Sequence, residues 1–550
     1  MINFRATISK ANRKLPLKIA AAVLAGSSLL ASLLGLFRER LLNSLYLDTY
    51  KTGLDAYVAA FQIPDFMFFI LVSGALSVTF IPVLNQRLVS GNKKSAWELS
   101  TSLLNLLAIV TLITSVLIII FAEPLVRFVV APGFDESSTA LAVSMMRVIA
   151  INPFLFAIAA VFASMQQAVG RFAFFALAPV VYNIGIIFGA LFFTNGINIF
   201  GWQVFDGGIM GVALGVVLGS ILQLLLSSIG MFGIDFNYRF KIYWKNKGFH
   251  QVLRLLPPRS LDQGMDYVNS IVETNLATRM VDGTVRAYQQ ATMLSFVPIN
   301  LIGVAISTAA FPKMTERLGQ NRPDLFKKEL QIVLRVIIWL ALPVAMITFF
   351  TRGYIVSFIA VGGSPYIASI LAVLAATIVF RSIYFIAARS FYAQQDTKTP
   401  LYISLFTISL NIILAVWLSF GLNMAVYGLA LAAVIVSVVE VAILFYLMSR
   451  RIKGMFDKFF TNAVVRMTSA TGFTALVTYA MVLLVPFNAT DQSFYVAFPK
   501  FVLIVGVSLI SYIIICRLFK IEEATPVLRR AKTIIIRIKT ALFNQSVPKS

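Results

Sequence analysis

The stretch Leu103-Leu-Asn-Leu-Leu-Ala-Ile-Val-Thr-Leu-Ile-Thr-Ser-Val-Leu-Ile-Ile-Ile-Phe-Ala122 decides the fold, because it is long, apolar and free of charged residues. A helix needs about 20 such residues to cross the hydrocarbon core of a bilayer. Inside lipid, only helices and closed barrels satisfy all of their backbone hydrogen bonds. An uninterrupted apolar run favours a helix, since barrel strands alternate apolar and polar residues. The stretch therefore predicts a membrane-spanning helix.

Composition extends this prediction to the whole chain. The 550 residues are 59% hydrophobic and 13% charged, whereas a soluble globular chain is about half apolar and about a quarter charged. The excess apolar surface must face lipid, and we predict an all-α polytopic membrane protein with about fourteen spans. The predicted spans are 17–37, 53–84, 102–122, 140–169, 172–193, 207–233, 252–280, 284–310, 330–351, 366–392, 401–420, 425–447, 467–485 and 501–516.

Charge sets the expected topology. The net charge is +23, from 46 Lys and Arg against 23 Asp and Glu. In a soluble protein this would suggest a nucleic-acid partner, but surplus Lys and Arg are typical of the cytoplasmic loops of membrane proteins. The loops at 194–206 and 421–424 contain no Lys or Arg and are assigned to the outside. We therefore predict a multi-pass protein with both termini in the cytoplasm and no nucleic-acid partner.

Several kinds of chemistry are missing from the sequence. Cys516 is the only cysteine and His250 the only histidine, which excludes an internal disulfide and a Cys/His metal cluster. There is no glycine-rich phosphate loop of the kind that drives an ATP-dependent pump. We expect neither an enzyme nor a cofactor. The basic tail at 518–550 is either an interfacial helix on the anionic inner leaflet or a solvated tail.

An internal repeat organises the spans. The segment Ala75-Leu-Ser-Val-Thr-Phe-Ile-Pro82 reappears as Ala305-Ile-Ser-Thr-Ala-Ala-Phe-Pro312. At nearly the same offset, Gln166-Gln167 and Asn183 pair with Gln394-Gln395 and Asn411. This predicts two six-helix lobes related by a pseudo-twofold axis along the membrane normal, an arrangement that favours alternating access. The predicted divisions are an N-terminal lobe at 1–250, a C-terminal lobe at 251–455, a terminal helix pair at 456–517 and the tail.

Ionisable side chains within spans are costly in hydrocarbon and usually mark a cavity or a partner. The candidates for a substrate cavity are Arg38, Glu39, Asp55, Arg147, Asp262, Asp266, Asn269, Glu273, Arg279 and Arg286. Those from Asp262 to Glu273 follow spacings of four, three and four and form one polar stripe, which lines either a cavity or a helix contact. Two purely structural alternatives stay open: Arg38 is an interfacial anchor, and Asp55 is the N-terminal cap of the second span.

Three stretches carry a resemblance to a known family. They are Gly35-Leu-Phe-Arg38-Glu39, Ser73-Gly-Ala-Leu-Ser-Val-Thr-Phe-Ile-Pro82 and, the most specific, Arg389-Ser-Phe-Tyr-Ala-Gln-Gln-Asp-Thr-Lys-Thr-Pro400. With them the chain resembles, over about residues 17–451, the MurJ (MviN) family of lipid II flippases in the multidrug/oligosaccharidyl-lipid/polysaccharide exporter superfamily. The resemblance implies fourteen helices and a V-shaped cavity that accepts the undecaprenyl-pyrophosphate-linked peptidoglycan precursor. It also implies a bacterial plasma-membrane location and a role in cell-wall biogenesis and cell shape.

The resemblance also assigns roles. It implies that Arg38 binds pyrophosphate, that Asp55 is a gating or ion-pairing carboxylate, and that Glu273 and Asn411 are candidates for a monovalent cation site. Departures from the family pattern weaken the substrate assignment. Phe68 and Phe69 replace an arginine pair of the family, while Ser32 and Met293 replace two further cavity arginines. Arg147, Arg279 and Arg286 are the candidates to replace the missing cations.

Three functions follow as expectations. The leading one is a lipid II flippase that moves the headgroup from the cytoplasmic to the outer leaflet. The first alternative is an exporter of another lipid-linked oligosaccharide or of amphiphilic cations. The second is a non-transporting membrane scaffold for cell-wall machinery. The expected partners are the lipid-linked precursor, membrane lipids and the cell-wall synthesis machinery.

Overall fold

The computed structural model describes residues 17–73, 76–199, 202–452, 454–488, 491 and 493–525. The chain forms two compact units, Met1–Arg286 and Ala287–Ser550. These two units are defined by the contacts within each of them, whereas the predicted lobes are defined by the internal sequence repeat. The predicted division at residues 250 and 455 therefore stays a prediction.

The first unit contains nine complete helices among its described residues. They are α1 (Leu17–Tyr46), α2 (Lys51–Phe68), α3 (Ile81–Val89), α4 (Lys93–Pro124), α5 (Glu136–Ile149), α6 (Asn152–Ala168), α7 (Ala173–Phe192), α8 (Met210–Ile229) and α9 (Lys247–Ala277). A short antiparallel hairpin, β1 (Ile197–Ile199) and β2 (Trp202–Phe205), joins α7 to α8. The predicted all-α class is confirmed apart from this hairpin.

The second unit begins within α10 (Thr284–Ile299) and contains the remaining helices of the described chain. They are α11 (Ala305–Gly319), α12 (Pro323–Phe350), α13 (Arg352–Ser357), α14 (Pro365–Leu374), α15 (Thr377–Ala393), α16 (Lys398–Val416), α17 (Val426–Arg451), α18 (Lys458–Leu484) and α19 (Phe494–Leu518). Here α12, α17, α18 and α19 are each long enough to cross a bilayer, and α10 with α11, and α16, reach that length when continued through a π-helical segment.

The count of membrane spans is lower than fourteen by length and composition alone. Among the described residues, twelve helices are long and apolar enough to cross, or up to thirteen if α14 and α15, bent by 43° at their junction, form one span. The predicted seventh span is α9, which has 31 residues but also Arg254, Arg259, Asp262, Asp266 and Glu273. At about 1.5 Å per residue this helix is long enough to cross, and its polarity alone removes it from the count.

A π-helical segment lies just before each copy of the repeat. In the first unit it is Phe69–Ser73, and a second π-helical segment, Leu76–Phe80, leads directly into α3, whose first turn contains Pro82. In the second unit the π-helical segment Asn300–Val304 leads directly into α11, which contains Pro312. Residues 74 and 75 lie outside the described part of the chain. A π-helical turn is rare and marks functional positions in many helices. Phe69–Ser73 and Asn300–Val304 lie at nearly the offset of the sequence repeat, whereas the residues that correspond to Leu76–Phe80 are α-helical.

Glycines bring α7 and α8 into close contact. A Cβ atom added to Gly185 would lie 2.3 Å from Cα of Gly219, and one added to Gly189 would lie 2.3 Å from Cα of Gly215. Small residues of this kind allow helix backbones to approach closely in lipid, where the hydrophobic effect between helices is weak. Any larger side chain at these glycines would push the two helices apart. The contact fixes the helix that carries Asn183.

Candidate functional site

A buried cluster joins the C-terminal part of α1 to the start of α10. Glu39 and Asn43 lie four residues apart on α1 and therefore share one face of the helix. Both residues are buried, and the Arg286 side chain is 2% exposed. We call Arg38, Glu39, Asn43, Asp55 and Arg286 the Glu39 cluster. All five belong to the first compact unit.

Glu39 is shared by two arginines. Oε1 of Glu39 lies 2.7 Å from Nη2 of Arg38, and Oε2 lies 2.7 Å from Nη2 of Arg286. Nη2 of Arg286 also donates to Oδ1 of Asn43 at 3.2 Å. A buried charge is tolerated only when it is paired and hydrogen-bonded. These short contacts meet that requirement, and the two guanidinium groups leave one positive charge more than Glu39 alone neutralises.

Asp55 caps the helix that carries Arg286. Its carboxylate accepts from the backbone N–H of Gly283 at 2.6 Å and from that of Arg286 at 2.7 Å, at the N-terminus of α10. A carboxylate is favourable there because unpaired N–H groups and the helix dipole attract negative charge. Its own helix, α2, has Tyr50 at the N-cap without a side-chain hydrogen bond. Asp55 is therefore a cap, but of α10 rather than of the second span.

A small polar cavity adjoins Asp55 in the same unit. It has a volume of about 280 Å³. It is lined by Thr52, Asp55, Gly133, Phe134, Asp135, Ser138, Ala277, Thr278, Met280, Val281 and Asp282. Hydrogen bonds from Ser137 and Ser138 lower the pKa of Asp135, just before α5, to about 2. A cavity of this size holds water or a small group, since pockets for drug-sized ligands measure about 300–1,000 Å³.

Arg38 is the more accessible of the two arginines. Its side chain is 22% exposed, and Nη1 donates to Oδ1 of Asn183 on α7 at 3.1 Å. Asn183 is oriented in turn by donating to the carbonyl of Pro179 at 2.9 Å. Arg38 is thus held by an acid and an amide, whereas an interfacial anchor would need neither partner.

Of the three candidate replacement cations, only Arg286 joins Arg38. Arg147 is exposed on α5, with Nε 3.4 Å from the carbonyl of Ile119. Arg279 is exposed just after α9. Arg147 and Arg279 stay predictions as substrate-binding residues.

The polar stripe of α9 is described in part. Nδ2 of Asn269 donates to Oε1 of Glu273 at 2.9 Å, across one helical turn. The side chains of Asp262 and Asp266 lie outside the described part of the structure. Glu273 belongs to the first unit and Asn411, which is buried on α16, to the second. The monovalent cation site predicted for this pair stays a prediction.

Aromatic side chains occupy the place of the family's arginine pair. The Phe69 ring stacks on Tyr267 of α9, with centroids 4.3 Å apart, and Phe68 meets Phe156 of α6 edge-on at 5.6 Å. Such ring pairs stabilise packing beyond the area they bury. At this point α2 therefore presents apolar contacts to α6 and α9 instead of cations. The hydroxyl of Ser32 donates to the carbonyl of Ser28 within α1.

The most specific motif of the sequence, at 389–400, makes polar contacts between helices of the second unit. Asp396 precedes α16, accepts from the backbone N–H of Thr399 at 3.0 Å and pairs with Arg451 at 2.6 Å. Desolvation raises the pKa of Asp396, but the hydrogen bonds from Thr399 and Arg451 outweigh it and lower the pKa to about 2. Nη1 of Arg389 donates to the carbonyl of Val304, at the end of a π-helical segment. The motif therefore fixes where α15, α16 and α17 meet.

A further buried acid, Glu440, was missed in the sequence. Glu440 on α17 is 3% exposed and lies near Arg381 of α15 and near Ser404 and Thr407 of α16. We call these four residues the Glu440 cluster. The signal was present, because Glu440 is the only acidic residue in the predicted span 425–447. An acid at that depth marks a functional position by default.

The chain is similar to proteins of one family along most of its length. A family model described as lipid II flippase MurJ matches residues 50–504. A probable lipid II flippase MurJ of Thermotoga maritima is 26% identical over 507 residues, which cover 90% of this chain and 95% of that protein. The lipid II flippase MurJ of Burkholderia cenocepacia is 26% identical over 402 residues, covering 70% of this chain and 75% of that protein.

Solved structures give the same fold. A structure of lipid II flippase MurJ in an inward closed conformation superposes with a TM-score of 0.72 at 23% identity, covering 90% of this chain and 98% of that one. An inward-facing multidrug resistance MATE family transporter of the MOP superfamily superposes with a TM-score of 0.64 at 15% identity, covering 78% of this chain and 96% of that one. At these identities the likeness concerns the fold alone.

Proposed function

Because this chain belongs to the MurJ family of lipid II flippases, we propose that it moves the headgroup of lipid II from the cytoplasmic to the outer leaflet by alternating access. It is a multi-pass protein of the bacterial inner membrane. The lipid-linked precursor and the surrounding lipids are its proposed partners. No covalent step is required of the protein, since flipping relocates the substrate without changing it.

The Glu39 cluster carries this proposal. The pyrophosphate of lipid II is a compact dianion, because it is esterified at both ends, and arginine binds such groups with paired, charge-assisted hydrogen bonds. Two guanidinium groups converge on Glu39, each at 2.7 Å from one of its oxygens. Without substrate, Glu39 keeps both cations oriented at membrane depth and neutralises one of their two charges. A pyrophosphate that reaches Arg38 replaces one carboxylate contact with stronger ones.

The order of contacts follows from exposure. Arg38 is 22% exposed and Arg286 only 2% exposed, so substrate meets Arg38 first. Binding at Arg38 changes the contact between Arg38 and Glu39, and this change reaches Arg286 because the two arginines share Glu39. The backbone N–H of Arg286 donates to the carboxylate of Asp55. A shift of Arg286 therefore disturbs the hydrogen bonds through which Asp55 caps α10. We assign Asp55 the role of a gate residue that holds α2 to the start of α10 until the headgroup has bound.

The remaining parts of the proposal follow the repeat. The repeat supports two lobes, at 1–250 and 251–455, that give access to the two sides of the membrane in turn, and the helix pair at 456–517 and the tail at 518–550 are separate predicted divisions. The distribution of Lys and Arg supports a cytoplasmic location for both termini. Arg147, Arg279 and the polar stripe of α9 are candidates for contacts with the rest of the headgroup. Cell-wall synthesis enzymes are proposed as neighbours that receive the product.

Substitution of Arg38 tests the proposal in reconstituted vesicles. Arg38→Ala should slow lipid II translocation by about 10- to 100-fold, since a hydrogen bond to a charged group contributes about 1.5–3 kcal/mol. Arg38→Lys should recover only part of the rate, because lysine keeps the positive charge but lacks the planar guanidinium that donates two parallel hydrogen bonds. The matched control is Arg127→Ala, because Arg127 is half-exposed and pairs with Glu123 and Glu136 away from the cluster.

The outcomes separate the functions considered. Loss of lipid II translocation in Arg38→Ala, with Arg127→Ala unaffected, supports the flippase. Translocation that is unchanged in Arg38→Ala removes the pyrophosphate role of the cluster. Absence of translocation in the unsubstituted protein, together with full complementation of cell growth by Arg38→Ala, would favour the membrane scaffold.

A further inference from the structure

Glu440 occupies a position at which a fixed negative charge is costly. It lies near the midpoint of α17, a 26-residue apolar helix, and is 3% exposed. Charged groups at such depth require partners or a change of protonation. The proposed lipid II function does not use this residue. The question is which chemistry its surroundings permit.

Two neighbouring helices present polar groups to Glu440. Oε2 lies 3.4 Å from Nη1 of Arg381 on α15. Oε1 lies 3.3 Å from the hydroxyl of Thr407 and 3.5 Å from that of Ser404, both on α16. Tyr384, one turn beyond Arg381, has its hydroxyl 3.4 Å from that of Ser404. Within the described part of the chain, α14 and the π-helical segment Trp417–Gly421 also pack on α17, and neither contains a charged residue.

Thr407 has two acceptors for its single hydroxyl proton. Its Oγ1 lies 3.3 Å from Oε1 of Glu440 and 3.1 Å from the carbonyl oxygen of Ser404, on its own helix. A hydroxyl group both donates and accepts, whereas a guanidinium only donates. When Thr407 donates to the carbonyl, its oxygen is available to accept from a protonated carboxyl. When it donates to Glu440, it stabilises the carboxylate. The cluster thus satisfies Glu440 in both protonation states.

We propose that Glu440 is a proton-binding site that loads and unloads during the transport cycle. On loading, a proton from water binds Oε1 and the new O–H donates to Oγ1 of Thr407, whose own proton turns to the carbonyl of Ser404. On unloading, the proton returns to water and Thr407 again donates to the carboxylate. No bond between heavy atoms forms or breaks, and the charge of the cluster changes by one.

The proton acts at a bend in the second unit. Loading removes the counter-charge of Arg381, whose side chain is 32% exposed. Arg381 lies about one turn after the junction of α14 and α15, where the chain bends by 43°. Protonation therefore changes the contact between α15 and α17 close to that bend. Coupling of the proton to lipid movement rests on the proposed flippase function, whereas proton binding itself does not.

Infrared difference spectroscopy on the purified full-length protein tests proton binding directly. A pH change should produce the C=O stretching band of a protonated carboxylic acid, and Glu440→Gln should lack that band. Thr407→Val should lower the pH midpoint of the band by at least half a pH unit, because the carboxylate keeps Arg381 as a donor, whereas the neutral form loses Thr407 as its acceptor. Two matched controls should leave the band unchanged: Glu316→Gln, which alters an exposed acid, and Thr474→Val, which alters a buried threonine whose hydroxyl donates to the carbonyl of Ala470.

Transport assays test the coupling. Lipid II translocation in vesicles should depend on pH in the unsubstituted protein and lose that dependence in Glu440→Gln. A band that persists in Glu440→Gln would overturn the proton site, as would a dependence on sodium at fixed pH that disappears in Glu440→Gln while the pH profile survives. A band that is lost, with translocation absent at every pH in the unsubstituted protein, would retain the proton site and contradict the proposed function instead.

Discussion

Two buried glutamates, one in each compact unit, are held in opposite ways. Glu39 has contacts of 2.7 Å with two arginines, Arg38 and Arg286. Glu440 has one arginine at 3.4 Å and two hydroxyl groups at 3.3 and 3.5 Å. The first set of groups donates only and keeps the acid ionised. The second set both donates and accepts. The first arrangement suits the exchange of one anion for another, and the second suits the exchange of a proton.

The largest expected effect is on the Glu39 cluster. Arg286→Met should lower the free energy of unfolding by about 3–5 kcal/mol, because removing one partner of a buried pair leaves a charge without compensation. Thermal unfolding in detergent would measure the loss. Arg127→Ala, which removes a half-exposed arginine, should change the midpoint little. If Arg286→Met and Arg127→Ala were equally stable, the cluster would not be a structural hub of the first unit.

Arg381→Met should destabilise the second unit by less. Glu440 without Arg381 can take up a proton and donate to Thr407, so we expect a loss of about 1–2 kcal/mol. The same unfolding measurement at two pH values would detect it, and the loss should be smaller at the lower pH. A loss equal to that of Arg286→Met at both pH values would show that the two clusters do not differ.

Asp55 ranks next, because it acts as a helix cap. Asp55→Ala should cost about 1 kcal/mol of stability, whereas Asp55→Asn should cost only a few tenths, since Asn is also a good cap. Unfolding midpoints would give both values. Translocation should fall in both variants if the negative charge is needed at the gate, and it should fall only in Asp55→Ala if the cap alone matters.

The smallest expected effect concerns Asp396, a carboxylate outside the membrane spans. Its pKa is lowered to about 2 in the folded protein, below the ordinary value of about 3.9. Its stabilising contribution is therefore present above about pH 4 and lost as pH falls towards 2. Asp396→Asn should remove that part of the acid sensitivity, about 1 kcal/mol or less for a partly exposed pair. Acid titration of the unfolding midpoint in both proteins would test this. An unchanged titration in Asp396→Asn would contradict the assignment.

The sequence predicted the helical class and the family because both depend on local signals. Long apolar runs indicate spans wherever they occur, and the motifs around Arg38 and Asp396 are contiguous. The resemblance to the MurJ family is confirmed. The count of fourteen stayed approximate, because α9 is too polar and α14 and α15 are bent.

The partners within the site were beyond reach of the sequence. Glu39 and Arg286 are far apart in the chain, and nothing in their spacing distinguishes Arg286 from Arg147 or Arg279. Only packing of α1 against the start of α10 brings the pair together. Glu440 was detectable as a lone acid in an apolar span, yet the dual role of Thr407 depends on a distance that no pattern encodes.

Binding of undecaprenyl pyrophosphate and undecaprenyl phosphate to the purified protein tests the central claim most directly. If Arg38 receives the pyrophosphate, the unsubstituted protein should bind the diphosphate about 10-fold or more tightly than the monophosphate, because a charge-assisted hydrogen bond contributes about 1.5–3 kcal/mol. Arg38→Ala should bind both lipids with nearly equal affinity. A preference for the diphosphate that persists in Arg38→Ala would contradict the account.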